Sequence, residues 1–284
     1  MTTALAGPPL STEAEREAYE CFGFVTVRGL LAPDEAARLY ACARSDDVLT
    51  ENSYELLDAE GHKTRLALWY TPGDDVYGRL SRSRRMVARA EVLLGGPVGH
   101  YHSKVMQKAP RTGGAWEWHQ DYGYWYKNGF LFPRMLSVMV ALTESVQANG
   151  CLQVLPGSHH LGRLNHVSIG EQVAADPERV QAYAATCAAV FCELQPGDAL
   201  FFHCNLLHSS GRNASESPRW SIISAYNRLD NRPLGREPPS CVTPIAPLAD
   251  DDVFGAPAGA PAGVAADADF LKKERRRYQE REDR

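Results

Sequence analysis

Hydrophobic and polar positions alternate with two different periods along this chain. The first hundred residues carry amphipathic helical patterns around one apolar strand, whereas from about His100 onward short apolar or aromatic runs follow one another, separated by Gly, Pro and Asn. The run S-T-E-A-E-R-E-A-Y-E predicts an opening helix, with Thr12 and Glu15 spaced as a capping box. A strand is expected at Phe22–Val27. Pro33 and Asp34 start a second helix through about Ala43, with Ala36, Ala37, Leu39 and Tyr40 on its apolar side. A third is expected over about Asp75–Leu94, with Arg82, Arg84, Arg85 and Arg89 on its wet face.

The later segments HYHSKVMQ, GAWEWHQD, RMLSVMVALTE, GCLQVLPGS, AVFCELQPGD, ALFFHCN and RWSIISAYN each have the length of a strand, with turn residues between them. One helix interrupts them at about 177–187, with Asp176 as N-cap and Pro177 at the first helical position. Helices first and many short strands afterwards predict a mainly β fold with flanking helices: a double-stranded β-helix, that is, a cupin-like jelly roll. Residues 1–231 are expected to form one catalytic domain. After that the composition turns to PLGREPPS and GAPAGAPAGVAADAD, so 232–284 is read as a tail or lid.

Composition narrows the function classes. The chain has 284 residues, 44% hydrophobic and 23% charged, which excludes wholesale disorder and fibrous classes. Its apolar runs are far shorter than a bilayer span, and its first residues lack the basic and apolar regions of a secretory signal, so no membrane association and a cytoplasmic location are expected. The net charge of -5 carries no electrostatic footprint for nucleic acid, although residues 271–284 are locally basic. Seven cysteines without a C-x-x-C pair argue against a disulfide framework or a zinc knuckle.

The candidate chemistry starts at His119-Gln120-Asp121. In a strand, residues two apart share a face, so this imidazole and carboxylate would project side by side into the barrel. A third ligand has to come from a distant strand, and PGDALFFHCNLLHSSGRN offers His203 and His208. Two histidines and one carboxylate leave open positions on a six-coordinate metal, the donor set of non-haem Fe(II) oxygenases, whereas structural zinc takes four protein ligands. Arg219 follows in the next expected strand, where a buried guanidinium either pairs with an acid of the chain or binds the distal carboxylate of a dicarboxylic acid.

W-H-x-D followed by Trp, then P-R-M, N-G-C-L-x-V-L-P-G-S-H, P-G-D-A-L-F-F-H, H-S-S-G-R-N and a downstream Arg occur in an order that resembles the phytanoyl-CoA dioxygenase family, from about Phe22 to about Asn227. That resemblance implies an Fe(II)- and 2-oxoglutarate-dependent oxygenase that consumes O2. It implies His119, Asp121 and His208 as iron ligands, and Arg219 with Ser210 on the far carboxylate of 2-oxoglutarate. Trp116 and Met139 fall where the family sets side chains against 2-oxoglutarate; His203, His159 and His160 become structural. The segment from Trp118 to Met135 is similar to the ectoine hydroxylase branch, which implies Trp125, His102 and Tyr122 at the substrate. Departures at Gly123, Tyr124 and Tyr126 point away from ectoine itself, toward another small polar or zwitterionic molecule.

Trp116, Trp118, Tyr122, Tyr124, Trp125 and Tyr126 are read either as core or as a cage for an ammonium group. The retained Asp121 favours hydroxylation or desaturation over halogenation. Rival readings are the same chemistry on an acyl-CoA or carrier-bound acyl group, a cupin-like enzyme independent of 2-oxoglutarate, and a non-catalytic scaffold. The acidic body of the chain supplies no evident groove for the phosphates of an acyl-CoA.

Overall fold

The computed structural model describes residues 13–235, 239–249, 263–265 and 268–271. Its helices are α1 (Glu13–Phe22), α2 (Pro33–Ser45), α3 (Asp47–Glu51), α4 (Val76–Ser81), α5 (Arg84–Leu94), α6 (Asp121–Lys127) and α7 (Pro177–Ala184). Its strands are β1 (Phe24–Val27), β2 (Tyr54–Leu57), β3 (Lys63–Trp69), β4 (Val98–Lys108), β5 (Trp116–His119), β6 (Met135–Ala141), β7 (Leu152–Val154), β8 (His166–Ile169), β9 (Gln172–Ala175), β10 (Val190–Cys192), β11 (Ala199–His203), β12 (His208–Ser210) and β13 (Arg219–Arg228).

Seven strands form one antiparallel sheet in the order β1-β11-β6-β13-β4-β3-β2, and four form a second in the order β10-β7-β12-β5. The two sheets enclose an inner core of Met139, Leu152, Val154, Leu200, Phe202, Leu206 and Ile223. The opposite face of the large sheet presents Val105, Val138, Val140, Phe201 and Ile222 to the N-terminal helices, which contribute Tyr19, Leu39, Leu80, Met86 and Val87. This is the expected jelly roll buttressed by helices. Every residue of β6 is buried because it is covered on both faces.

The local signals explain most boundaries. Gly23, at φ +84°, turns the end of α1 into β1, so Phe22 closes the helix and the strand begins two residues later than expected. Asp75 accepts from the amides of Tyr77 and Gly78 and caps α4. Asp176 does the same for α7 through Glu178 and Arg179. The helix expected over Asp75–Leu94 is two helices. Ser83 is extended, and the Arg84 amide donates to the Leu248 carbonyl, so a strand-like contact with a distant segment breaks the run. Arg89 is buried against Glu15 rather than on the wet face, and Arg85 pairs with Glu35. Thr12, half of the expected capping box, lies outside the described residues, as does the basic stretch 272–284.

The hairpin of β2 and β3 and the separate hairpin of β8 and β9 were not legible in the apolar pattern. Described pieces of the region after Asn231 pack into the same body: Cys241, Val264 and Phe270 are buried, and Asn227 donates to the Cys241 carbonyl at 3.0 Å.

Candidate metal and 2-oxoglutarate site

His119 is the last residue of β5, Gln120 is extended, and Asp121 opens α6. The two side chains therefore meet through a strand-to-helix turn, which corrects the expectation that strand alternation puts them on one face. Gln120 holds this turn. Its side-chain amide donates to the carbonyls of Gly162 and Asn205 at 2.8 Å, its oxygen accepts from Leu164 at 2.7 Å, and its backbone amide donates to His166 Nε2 at 3.1 Å. Fully buried, it ties the stretch 162–166 and the loop at Asn205 to the turn between His119 and Asp121. The sequence signal for it was only its place inside H-x-D.

His208 arrives from β12, directly paired with His119 in the ladder with β5. The Nε2 atoms of both histidines lie 3.9 Å from Asp121 Oδ1. One ligand atom from each of the three residues falls within 4.8 Å of the others, and all three residues are buried. Each ring's Nδ1 faces a carbonyl oxygen, Glu117 at 2.7 Å for His119 and Leu206 at 2.9 Å for His208. A carbonyl only accepts, so Nδ1 carries the proton and the Nε2 lone pair faces the carboxylate, the tautomer a metal ligand needs. Burial, reinforced by the neighbouring imidazole, holds His119 well below the usual histidine range; burial also lowers His208, against the pull of Asp121. Burial alone would raise the Asp121 carboxyl. The Lys104 charge, the facing His208 imidazole and a 2.6 Å bond from Ser137 outweigh it, and the group stays ionised. Two neutral imidazoles and one carboxylate, joined by no further ligand group among the described residues, fit a ferrous ion with open positions.

The large sheet also buries two basic side chains. Arg219 and Lys108 are register partners across β13 and β4, 5% and 1% exposed. Arg219 Nη2 reaches only the thioether of Met139 at 3.4 Å, and its Nε is buried without a partner. Lys108 donates to the Ser210 hydroxyl at 2.8 Å and the Gly211 carbonyl at 2.5 Å. Among the described residues neither cation has a carboxylate bridging it. Burial brings the Arg219 guanidinium down to about 10, and burial with the Arg219 charge puts Lys108 well below the usual lysine range. A desolvated guanidinium with spare donors calls for an anion, and the Ser210 hydroxyl, already accepting from Lys108, keeps its own proton for the same ligand, whereas the three donors of Lys108 go to the Ser210 hydroxyl and carbonyl and the Gly211 carbonyl. The donor set fits the far carboxylate of 2-oxoglutarate. Lys108 was not singled out from the sequence, because a lone lysine in a strand carries no motif.

The remaining expected residues divide. Trp116 stands with its ring 6.1 Å from that of His119. His102 is buried with Nδ1 unpartnered, between Tyr70, Tyr101 and Trp125. Tyr122 turns into the core, its hydroxyl donating to the Phe130 carbonyl at 2.9 Å, so it packs rather than offering a free hydroxyl to substrate. The aromatic run does not form one cage. Trp118 packs with Leu155, Val180 and Leu207; Tyr124 donates to Val173; Tyr126 lies under the Arg163 guanidinium. On a helix these side chains fan out, whereas a strand would have aligned them. His203 accepts from the Asn205 amide and is outside the trio, near His159. Lys104, missed from the sequence, is half-buried between His102 and Met106, and its charge acts on Asp121, His102 and both ligand histidines.

A profile of the family described as Phytanoyl-CoA dioxygenase (PhyH) matches residues 19–221, a span that includes His119, Asp121, His208 and Arg219. The chain belongs to the phytanoyl-CoA dioxygenase family. It is 33% identical over 196 residues to an L-proline trans-4-hydroxylase of Streptomyces griseoviridis, covering 62% of this chain and 73% of that protein. It is 28% identical over 235 residues to an ectoine dioxygenase of Streptomyces avermitilis, covering 78% and 80%. In fold it is similar to EctD from S. alaskensis in its apoform, with a TM-score of 0.70 at 23% identity, covering 87% of this chain and 90% of that one. The epimerase SnoN, solved with Fe3+, alpha ketoglutarate and nogalamycin RO, aligns with a TM-score of 0.65 at 26% identity, covering 84% and 96%. The phytanoyl-CoA dioxygenase fold and the dioxygenase class thus rest on sequence and structure alike. No described helix is long and apolar enough to cross a membrane.

Proposed function

We propose that this member of the phytanoyl-CoA dioxygenase family is an Fe(II)- and 2-oxoglutarate-dependent hydroxylase of a small polar or zwitterionic metabolite, acting in the cytoplasm. His119, Asp121 and His208 would hold the iron, and Arg219, with Lys108 and Ser210, the far carboxylate of 2-oxoglutarate. When bound, these groups supply the oxidising chemistry: substrate, O2 and 2-oxoglutarate give hydroxylated substrate, succinate and CO2.

The chain's own residues orient and insulate. The Nδ1 bonds to Glu117 and Leu206 fix both imidazoles, and Ser137 fixes the carboxylate. Lys104, on the ligand side of β4, provides a positive charge for a substrate carboxylate, which suits an amino or imino acid better than a neutral or purely cationic molecule. His102, Trp116 and Trp125 supply the apolar and aromatic surroundings. The observation that carries the reading is the His/Asp/His trio in one fold with a buried Arg219 that has no acidic partner among the described residues.

The test is an anaerobic titration with Fe(II) and 2-oxoglutarate, followed by succinate release in air with L-proline, ectoine and an acyl-CoA as probes. A metal-to-ligand charge-transfer band, with stimulation by a small carboxylate, is expected. Stimulation by the acyl-CoA alone would overturn the substrate class, and absence of the band would overturn the cofactor assignment.

A further inference from the structure

One segment packed near the expected substrate residues lies outside the family profile. The match ends at residue 221, yet a segment some fifty positions later lies against β3. Strand β2 pairs with β3 only as far as Leu66, opposite Tyr54, so the edge of β3 beyond that point is open. Residues 269–271 fill it as a short antiparallel strand. Phe270 bridges Trp69, the Leu271 amide donates to the Leu68 carbonyl at 2.9 Å, and the Tyr70 amide donates to the Asp269 carbonyl at 3.2 Å. Phe270 anchors the segment, buried in the main core with its ring 6.1 Å from that of Trp69. Leu271 packs on the cluster of Leu56, Leu66 and Leu68, against which Trp116 and Met106 also pack.

The segment braces the strand that leads to Tyr70 and, through it, His102. Leu68 is the register partner of Lys104. Tyr70 is gripped from its other side as well, because Ser240 donates to its carbonyl at 2.9 Å. The Tyr70 ring stands edge-on to His102 at 6.2 Å, and His102 in turn lies 5.7 Å from Trp125. Two backbone bonds and one buried anchor thus fix Leu68 and Tyr70 at the end of β3.

We propose that residues 268–271 are a strap that completes the substrate chamber and sets its specificity, with Leu271 shaping the apolar wall and Tyr70 positioning His102. The inference rests on the hydroxylase reading above. It assigns substrate choice to a part of the chain outside the shared family core, whereas the metal and 2-oxoglutarate sites lie within that core.

Leu271→Pro removes the amide that donates to Leu68, Leu271→Ala trims the wall and keeps the bond, and Phe270→Ala loosens the anchor. Hydrogen exchange on the protein as isolated is the first measurement. Leu271→Pro and Phe270→Ala should speed exchange of the Tyr70 amide by about tenfold and leave the β6 and β13 amides unchanged. The Fe(II)/2-oxoglutarate charge-transfer band should persist in all three variants. Substrate-free succinate release should rise about threefold as water enters, and any stimulation by L-proline or ectoine should need about fivefold more probe. Leu271→Ala, the mildest change, guards against misreading a folding defect. Unchanged Tyr70 exchange, or altered exchange with wild-type succinate release in all three variants, would overturn the strap. A charge-transfer band missing from the unsubstituted protein would instead count against the hydroxylase reading.

Discussion

His208 sits directly opposite His119 across the β5 and β12 ladder, with ring centroids 4.1 Å apart. Antiparallel pairing thereby brings together two candidate ligands that are far apart in sequence, and a one-residue slip of β12 would turn one imidazole to the other face. Replacing either histidine by alanine should weaken Fe(II) binding by about 100-fold or more while leaving the far-ultraviolet circular dichroism unchanged. Anaerobic titration measures this, and wild-type affinity in His208→Ala would remove it from the ligand set.

The buried guanidinium gives a prediction with opposite signs for stability and function. Arg219→Met removes an uncompensated charge from the interior, so the protein without co-substrate should melt no lower than wild type and by general experience somewhat higher. The same variant should lose 2-oxoglutarate-dependent turnover by at least about 100-fold and still bind Fe(II). Calorimetry and succinate assay decide; a large fall in melting temperature would mean that Arg219 is stabilised by the chain itself.

Ser137 donates to the Asp121 oxygen at 2.6 Å, leaving Oδ1 toward the histidines. Ser137→Ala should weaken Fe(II) binding by about tenfold, with Ser137→Thr recovering part of it. Equal affinities for all three proteins would show that the bond orients nothing of consequence.

Gly123 allows α6 to pass close to His166. A β-carbon there would lie 2.3 Å from the imidazole, which accepts from the Gln120 amide between the two ligands. Gly123→Ala should therefore destabilise the fold by about 1–3 kcal/mol, and adding His166→Ala should recover part of the loss. Additive losses in denaturant titrations would sink the explanation.

Acid should destabilise the metal-free protein through buried neutral histidines. Burial takes His100 and His203 down to about 3, and His166 to about 4. Between these values and the unfolded histidine range near 6.5, the unfolded chain binds up to about one proton more per residue than the native one, so stability falls as pH falls. Denaturant midpoints should drop from pH 7 to pH 4, and the slope should be shallower in His203→Gln. A midpoint flat across that range would contradict the burial argument.

The order of H-x-D, the distant His208 and the downstream Arg219, together with the change from helical to strand-length runs, made the fold class and the candidate ligands legible before any coordinates. Those signals are local in the chain: turn residues, run lengths and side-chain types that the chemistry demands. Gln120, Lys104, Lys108 and the strap at 268–271 were not legible, since each gains its role only from what register and sheet packing place against it. The helical course of 121–127 belongs with them: its aromatics have the composition of a strand, and the turn after His119, tied by Gln120 to two separate segments, overrides that preference. Sequence alone determined which atoms this protein has for holding a metal and an anion. Tertiary structure decided which of them meet, because burial, ladder register and the desolvation of two cations are properties of segments brought together from far along the chain.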